Sequence, residues 1–181
     1  MNNWRRTTWL SQCLLSVTIL LASPALALVE SASAADPFRT GQSARTIDNF
    51  TAEAFQALFK KGDYPKARQL LKQAPTQSNQ ADPLTYALLA VFAYLDQDWN
   101  SFKVYGTRTE QKAATLTVGD PLRGNLYQAV GYFLQAAYDV SDAGDGLPGG
   151  LPNALGKVQK VFGHLEKATN INPTDPELNL V

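Results

Sequence analysis

The stretch Asn49–Ala74 constrains the fold most, because it carries two apolar stripes of helical spacing on either side of a short turn. The first stripe consists of Phe50, Ala54, Phe55, Leu58 and Phe59, and the second of Ala67, Leu70, Leu71 and Ala74. Between them, Gly62 suits the left-handed residue that ends a helix, and Asp63 suits the cap that begins one. Pro65 falls in the first turn of the second helix, where its missing N–H is tolerated. The stretch therefore predicts a helical hairpin.

The rest of the chain repeats this pattern of helix starts and apolar stripes. An Asp-Pro pair occurs at 82–83, 120–121 and 175–176, with aspartate as the predicted N-cap and proline at the first helical position. Apolar periodicity predicts helices over Leu84–Leu95, from Trp99 to about Thr115, from Leu122 to about Val140 and from Asn153 to about Thr169. In the last of these, Leu155, Val158, Val161, Phe162, Leu165 and Ala168 are predicted to face inward.

The hairpins resemble tetratricopeptide repeats, in which helix pairs recur about every 34 residues and stack as a solenoid. Gly62-Asp63-Tyr64 stands at the inter-helix turn of that repeat, and Ala67 and Ala74 stand at its two small positions. In the second unit the small residues are replaced by Phe102 and Thr109, so the repeats are degenerate. The predicted fold is all-α: helical hairpins stacked as a short degenerate tetratricopeptide-like solenoid after an N-terminal signal peptide.

Residues 1–35 have the pattern of a secretory signal peptide. Arg5 and Arg6 precede the apolar stretch Trp9–Leu21, which is shorter than the ~20 residues of a membrane span. Cleavage is predicted after Ala27 or after Ala35, and an uncleaved N-terminal anchor is the alternative. The chain is therefore expected in the periplasm or otherwise exported, with membrane contact only if the leader is retained.

The remaining chain divides into a linker, residues 36–47, and a repeat domain, residues 48–181. The linker prediction rests on Pro37, Gly41 and Ser43 without periodicity. The helix that begins at Asp175 stops at Val181, well short of the ~12–15 residues that make an isolated helix even marginal. Either it docks as a short cap or the domain is incomplete at its C-terminus, and the second reading is favoured.

The whole arrangement resembles a family of secreted tetratricopeptide-like proteins from cyanobacteria whose function is unknown. The resemblance rests on the leader and on three segments, KKGDYPKARQLL, GYFLQAAYDVSDAGDGLPGGLP and LEKATNINPTDPELNL. It implies that a further helical stretch follows the position where this chain stops, and it brings no enzymatic activity.

Composition argues against several classes of function. Lys plus Arg and Asp plus Glu both number 16, so no basic excess favours nucleic acid. The one cysteine, Cys13, lies in the leader, and His164 is the one histidine. The common zinc sets and Cys–His nucleophiles are thereby excluded. We expect neither a cofactor nor a metal, and no enzyme.

The loop Asp139–Pro152 carries the alternative functions. Gly144-x-Gly146-x-x-Gly149 matches a dinucleotide-binding string, but a helix rather than a strand precedes it and Pro148 lies inside it. Asp139, Asp142 and Asp145 could offer oxygen ligands to calcium, although the EF-hand pattern is absent. A ligand- or calcium-binding protein, or an enzyme, that uses this loop is therefore the alternative reading.

The leading reading is a non-catalytic, exported protein–protein interaction module. Solenoids bind peptides on the concave face formed by their first helices, often through aromatic side chains. Four tyrosines are predicted to line such a face: Tyr86, Tyr94, Tyr127 and Tyr138. The expected partner is a protein or peptide, and its identity is not encoded in these patterns.

Overall fold

In the computed structural model, residues 36–76 and 81–180 are described, and their regular secondary structure is helical with no strand among them. The α-helices are α1 (Asn49–Phe55), α2 (Tyr64–Leu71), α3 (Pro83–Leu95), α4 (Trp99–Leu116), α5 (Pro121–Asp139) and α6 (Gly146–Ile171). A π-helical turn, Gln56–Lys60, continues α1, and 3₁₀ turns lie at Gly41–Ser43 and Pro176–Leu180. The predicted all-α class is confirmed. The predicted signal peptide and its cleavage site after Ala27 lie outside the described residues.

Aspartate side chains begin five of the helices. Each accepts a hydrogen bond of 2.9–3.2 Å from a backbone N–H two or three residues ahead, and the caps of α1 to α5 in order are Asp48, Asp63, Asp82, Asp98 and Asp120. Such a bond satisfies one of the amides that a helix start leaves without a partner. Gly62 has φ +65°, the left-handed conformation expected before the Asp63 cap. The predicted hairpin turn is therefore confirmed.

Consecutive helices pack on one another, α1 on α2, α3 on α4, α4 on α5 and α5 on α6. In addition, α3 contacts both α1 and α5, so the first helices of three successive hairpins lie side by side. One core runs through this layer and includes Phe55, Leu70, Leu88, Leu126 and Ala168. A smaller cluster around Phe102 packs the C-terminal half of α3 against the N-terminal half of α4 and the C-terminal half of α5.

Glycines set the close approach of α4 and α5. A Cβ atom built on Gly131 would lie 2.6 Å from the backbone nitrogen of Glu110, and one on Gly124 would lie 2.4 Å from the Cα of Thr117. Backbone atoms cannot yield to such an overlap as a flexible side chain can. The two helices therefore need glycine at both positions in order to reach this separation.

Segment 36–47, predicted to be a linker, instead packs against the helices. Ile47 is completely buried in the core, and the ring of Phe38 meets that of Phe55 edge to face at 4.6 Å. Arg39 is buried and reaches across to the other end of the domain, where it pairs with Asp175. Neither the Pro and Gly content nor the lack of periodicity reveals the Arg39–Asp175 pair, because its two residues are 136 positions apart in sequence.

The short turn Pro176–Leu180 docks on the domain. Glu177 is completely buried, and Leu178 packs against the core cluster. The segment is therefore part of the packed domain.

The loop predicted over Asp139–Pro152 is shorter than expected, because α6 already begins at Gly146 and includes Pro152. The turn that remains is tight: a Cβ atom on Gly144 would lie 2.3 Å from the carbonyl oxygen of Tyr138, and one on Gly150 would lie 1.9 Å from that of Asp139. These glycines are thus explained by packing of the turn against the end of α5.

The face of α6 also differs from the prediction. Leu155 and Phe162, expected to point inward, are exposed, as are Leu147 and Leu151, whereas Val161 and Ala168 are buried. In the described part of the chain, no helix combines the length and the apolar character that a membrane crossing needs.

Candidate functional site

An apolar groove of about 430 Å³ crosses α1, α3 and α5, the first helices of the three hairpins. The α1 segment and its π turn contribute Phe55 and Phe59, α3 contributes Leu84, Ala87, Leu88 and Val91, and α5 contributes Tyr127, Val130, Phe133 and Leu134. Within each helix these residues recur three or four positions apart, which places them on one face. The volume lies in the range of small-molecule and side-chain binding pockets.

Two phenylalanines leave much of their surface to solvent in this groove. Phe59 is 59% exposed and Phe133 is 56% exposed. Phe59 stands in the π-helical turn, and its ring packs on that of Phe55 at 5.0 Å. Single π turns inside helices occur frequently at functional sites. Apolar aromatic surface of this size in a concave setting marks a candidate binding surface.

The floor of the groove has one polar side-chain group, the hydroxyl of Tyr127, and that group is already bonded. It donates a hydrogen bond of 2.6 Å to Oε1 of Glu177. Burial raises the pKa of Tyr127, and the adjacent Glu177 charge raises it further, so the hydroxyl stays protonated and keeps its role as donor. The other nine lining side chains are Phe, Leu, Val or Ala. The groove therefore offers apolar contact and no free side-chain donor or acceptor.

A buried ion cluster lies behind Tyr127 and ties both ends of the domain to α3 and α5. Its members are Asp36, Arg39, Asp82, Arg123, Asp175 and Glu177. The Arg123 guanidinium binds Asp82 through two bonds of 2.8 and 3.0 Å and Glu177 through its Nε at 3.0 Å. Arg39 donates to Oε2 of Glu177 at 2.9 Å and to both oxygens of Asp175. Every charge in the cluster thus has an opposite partner.

Burial works against the charged forms in this cluster, and the ion pairs outweigh it. Desolvation alone would lower the pKa of Arg123, but the Asp82 and Glu177 carboxylates raise it above the ordinary value. For Asp36, burial opposes ionisation, yet hydrogen bonds from Arg45, Phe38 and Arg39 lower its pKa. The Arg123 guanidinium and the Asp36 carboxylate are accordingly charged at neutral pH.

The four tyrosines predicted as partner-binding residues are dispersed. Tyr127 lines the groove. Tyr86 is buried elsewhere and its hydroxyl donates to the carbonyl of Thr76. Tyr94 is exposed near the end of α3, where it packs on Trp99, and Tyr138 donates to the carbonyl of Ala143 at 3.0 Å. The structure therefore does not bring the four together.

Periodicity places Phe59 in the first apolar stripe, although its side chain is exposed in the groove. No local signal separates Phe59 from the buried Phe55, or the exposed Phe133 from the partly buried Val130, since each pair follows the same helical spacing. The buried ion cluster was not anticipated either, because all its pairs except Asp36–Arg39 are 41 to 138 residues apart in sequence.

The other residues that could carry chemistry are either paired or exposed. Asp139 pairs with Lys157, and Asp142 and Asp145 are exposed. Nδ1 of His164 lies 2.9 Å from Oδ1 of Asn125, and its ring stacks on Tyr132. Among residues 36–76 and 81–180, no group of three or more His, Cys, Asp or Glu side chains is placed to hold a metal ion.

Comparison with known proteins gives no relative: no family model, curated protein or solved structure matches this chain.

Proposed function

We propose that this protein is a non-catalytic, exported interaction module whose groove binds the apolar face of a helical segment in a protein or peptide partner. The observation that carries the proposal is the groove across α1, α3 and α5, with Phe59 and Phe133 exposed in it. The proposed architecture is a short degenerate tetratricopeptide-like solenoid, related to the secreted cyanobacterial family that the sequence resembles. The side-by-side contacts of α1, α3 and α5 support that arrangement.

The apolar lining favours a helical occupant over an extended peptide. A strand that lay in the groove would place its backbone N–H and C=O groups against Phe, Leu and Val side chains, and each unpaired group would lose free energy. A helix satisfies its own backbone and presents side chains at positions i, i+3, i+4 and i+7. Since the one polar group of the groove, the Tyr127 hydroxyl, is bonded to Glu177, side chains that enter must be apolar.

Site-specific photocrosslinking tests this proposal. A photoreactive phenylalanine analogue replaces Phe133 in the exported protein, and the crosslinked residues of the partner are identified by mass spectrometry. We expect them to fall on one apolar face of an amphipathic helical segment. The matched control replaces Phe162, which is 66% exposed on α6 and does not line the groove.

A synthetic peptide of the crosslinked segment then gives the affinity. Phe133→Gln is expected to weaken binding by about 10- to 100-fold, the loss that follows from removing one buried aromatic contact. Phe162→Gln should leave the affinity unchanged. Identical crosslinks from positions 133 and 162 would refute the groove as the binding site. Crosslinks to a lipid chain would refute the helical partner and show that the groove binds a hydrocarbon ligand.

A further inference from the structure

Asp36 is anchored in the fold through its side chain. The carboxylate accepts hydrogen bonds from the backbone N–H groups of Phe38 at 2.8 Å, Arg39 at 3.1 Å and Arg45 at 2.8 Å, and it pairs with the Arg39 guanidinium at 3.2 Å. The side chain has no exposed surface, while the residue as a whole keeps intermediate exposure. The exposed part of Asp36 is therefore its main chain.

The ion cluster around Asp36 carries more negative than positive charge. Four carboxylates, those of Asp36, Asp82, Asp175 and Glu177, face two guanidinium groups, those of Arg39 and Arg123. Next to the cluster, Arg45 pairs with Asp120 and so adds no net charge, and Lys60 donates to the carbonyl of Pro37 at 3.1 Å. A further positive charge beside Asp36 would lower the electrostatic energy of the folded state.

We propose that export processing cleaves the Ala35–Asp36 bond and that the α-ammonium group formed on Asp36 joins this ion cluster. Water adds across the peptide bond: the carbonyl carbon of Ala35 gains a hydroxyl and becomes the carboxylate of the leader, and the nitrogen of Asp36 gains protons and becomes an ammonium. Ser33 and Ala35 supply the small residues that a signal peptidase requires before the cut. The proposal rests on the proposed export and is independent of the groove.

Cleavage after Ala27, the competing site, has a different consequence. It would leave Leu28–Ala35 in front of the domain and keep an uncharged peptide bond at Asp36. The cluster would then retain its excess of two negative charges. The two cleavage sites therefore differ in the charge that they place on the folded domain as well as in the length of the product.

The mature N-terminus is read directly from the intact mass of the exported protein. We expect Asp36 as its first residue, and Ala35→Leu should block that cleavage because a large residue replaces the small one, whereas the matched Ala27→Leu should not. A product that begins at Leu28, or one that keeps the whole leader, would overturn the proposal.

The role of the ammonium is tested by comparing the exported chain with the same chain carrying an N-terminal acetyl group. An α-amino group ordinarily has a pKa of about 7.7–8.0, and the nearby carboxylates favour its charged form in the folded state. Its contribution is therefore complete below pH ~7.7 and is lost as the pH rises through the folded-state value.

We expect acetylation to increase the unfolding equilibrium constant by about two- to five-fold at pH 6.5, as for a partly exposed ion pair, and to have no effect at pH 10. Urea denaturation at the two pH values measures both effects. Equal stability of the two chains at pH 6.5 would show that the ammonium does not join the cluster, whichever bond is cleaved.

Discussion

Substituting Arg123 by Met tests how strongly the domain depends on its buried ion cluster. The Arg123 side chain is 2% exposed and makes two hydrogen bonds to Asp82 and contacts to both oxygens of Glu177. Methionine fills part of the space but leaves two buried carboxylates without this partner. Breaking a buried ion pair from one side costs about 3–5 kcal/mol, and domains are stable by about 5–15 kcal/mol. We therefore expect Arg123→Met to remove a large part of the stability.

Arg68→Met is the matched control, because Arg68 also makes a bidentate ion pair with an aspartate, Asp96, at the C-terminal end of α3. Its side chain is 39% exposed and Asp96 is 49% exposed, so water can solvate the carboxylate after the substitution. An exposed pair of this kind contributes little to stability, because water solvates both charges when the pair is broken. Urea denaturation followed by circular dichroism, with unchanged m-values, gives both free energies of unfolding. If Arg123→Met lost no more stability than Arg68→Met, the burial argument would be refuted.

Two further predictions concern single positions. Gly131→Ala should destabilise the domain by about 1–3 kcal/mol, because the new Cβ meets the Glu110 backbone. Gly156→Ala should stabilise it by about 0.5–1 kcal/mol, because Gly156 lies in α6 with open space around it. Thermal unfolding of both variants measures the two effects. Burial and two nearby lysine charges lower the pKa of His164, so its neutral form stabilises the fold above pH ~6.5, and this contribution is lost as the pH falls through the folded-state value. Between pH 7.5 and pH 5, the free energy of unfolding of His164→Gln should therefore fall by less than that of the native chain. An equal fall would contradict the lowered pKa of His164 in the folded state.

The helix starts could be predicted because their causes are local. Asp63, Asp82 and Asp120 each bond to a backbone amide two or three residues ahead, so the sequence near each cap contains both partners. The turn at Gly62 could be predicted for the same reason, because it requires one residue in the left-handed conformation, which glycine adopts readily. Local chemistry of this kind is recorded in adjacent letters of the sequence, and the predicted boundaries of α3, α4 and α5 accordingly agree with the structure within one or two residues.

The ends of the domain were not predictable in this way. Segment 36–47 looks like a linker because its burial depends on Arg39 meeting Asp175 and Glu177 at the far end of the chain. No periodicity signals such a pair, and a buried arginine cannot be told from an exposed one by its neighbours. The glycine loop shows the same limit, since Gly144 and Gly150 are needed for contact with the end of α5 rather than for flexibility.

The groove shows why periodicity identifies a face but not its partner. Its lining begins one residue after Pro83 in α3 but six residues after Pro121 in α5, so the surface crosses the helices obliquely. An alignment of the repeats pairs positions at the same distance from each Asp-Pro start. It therefore does not predict that Leu84 and Tyr127 line the same groove. The four tyrosines predicted to share a face are dispersed as well, with Tyr127 in the groove and Tyr86 buried away from it. The residues to vary in a search for the partner are accordingly Phe59 and Phe133, whose apolar surface remains uncovered in the folded domain.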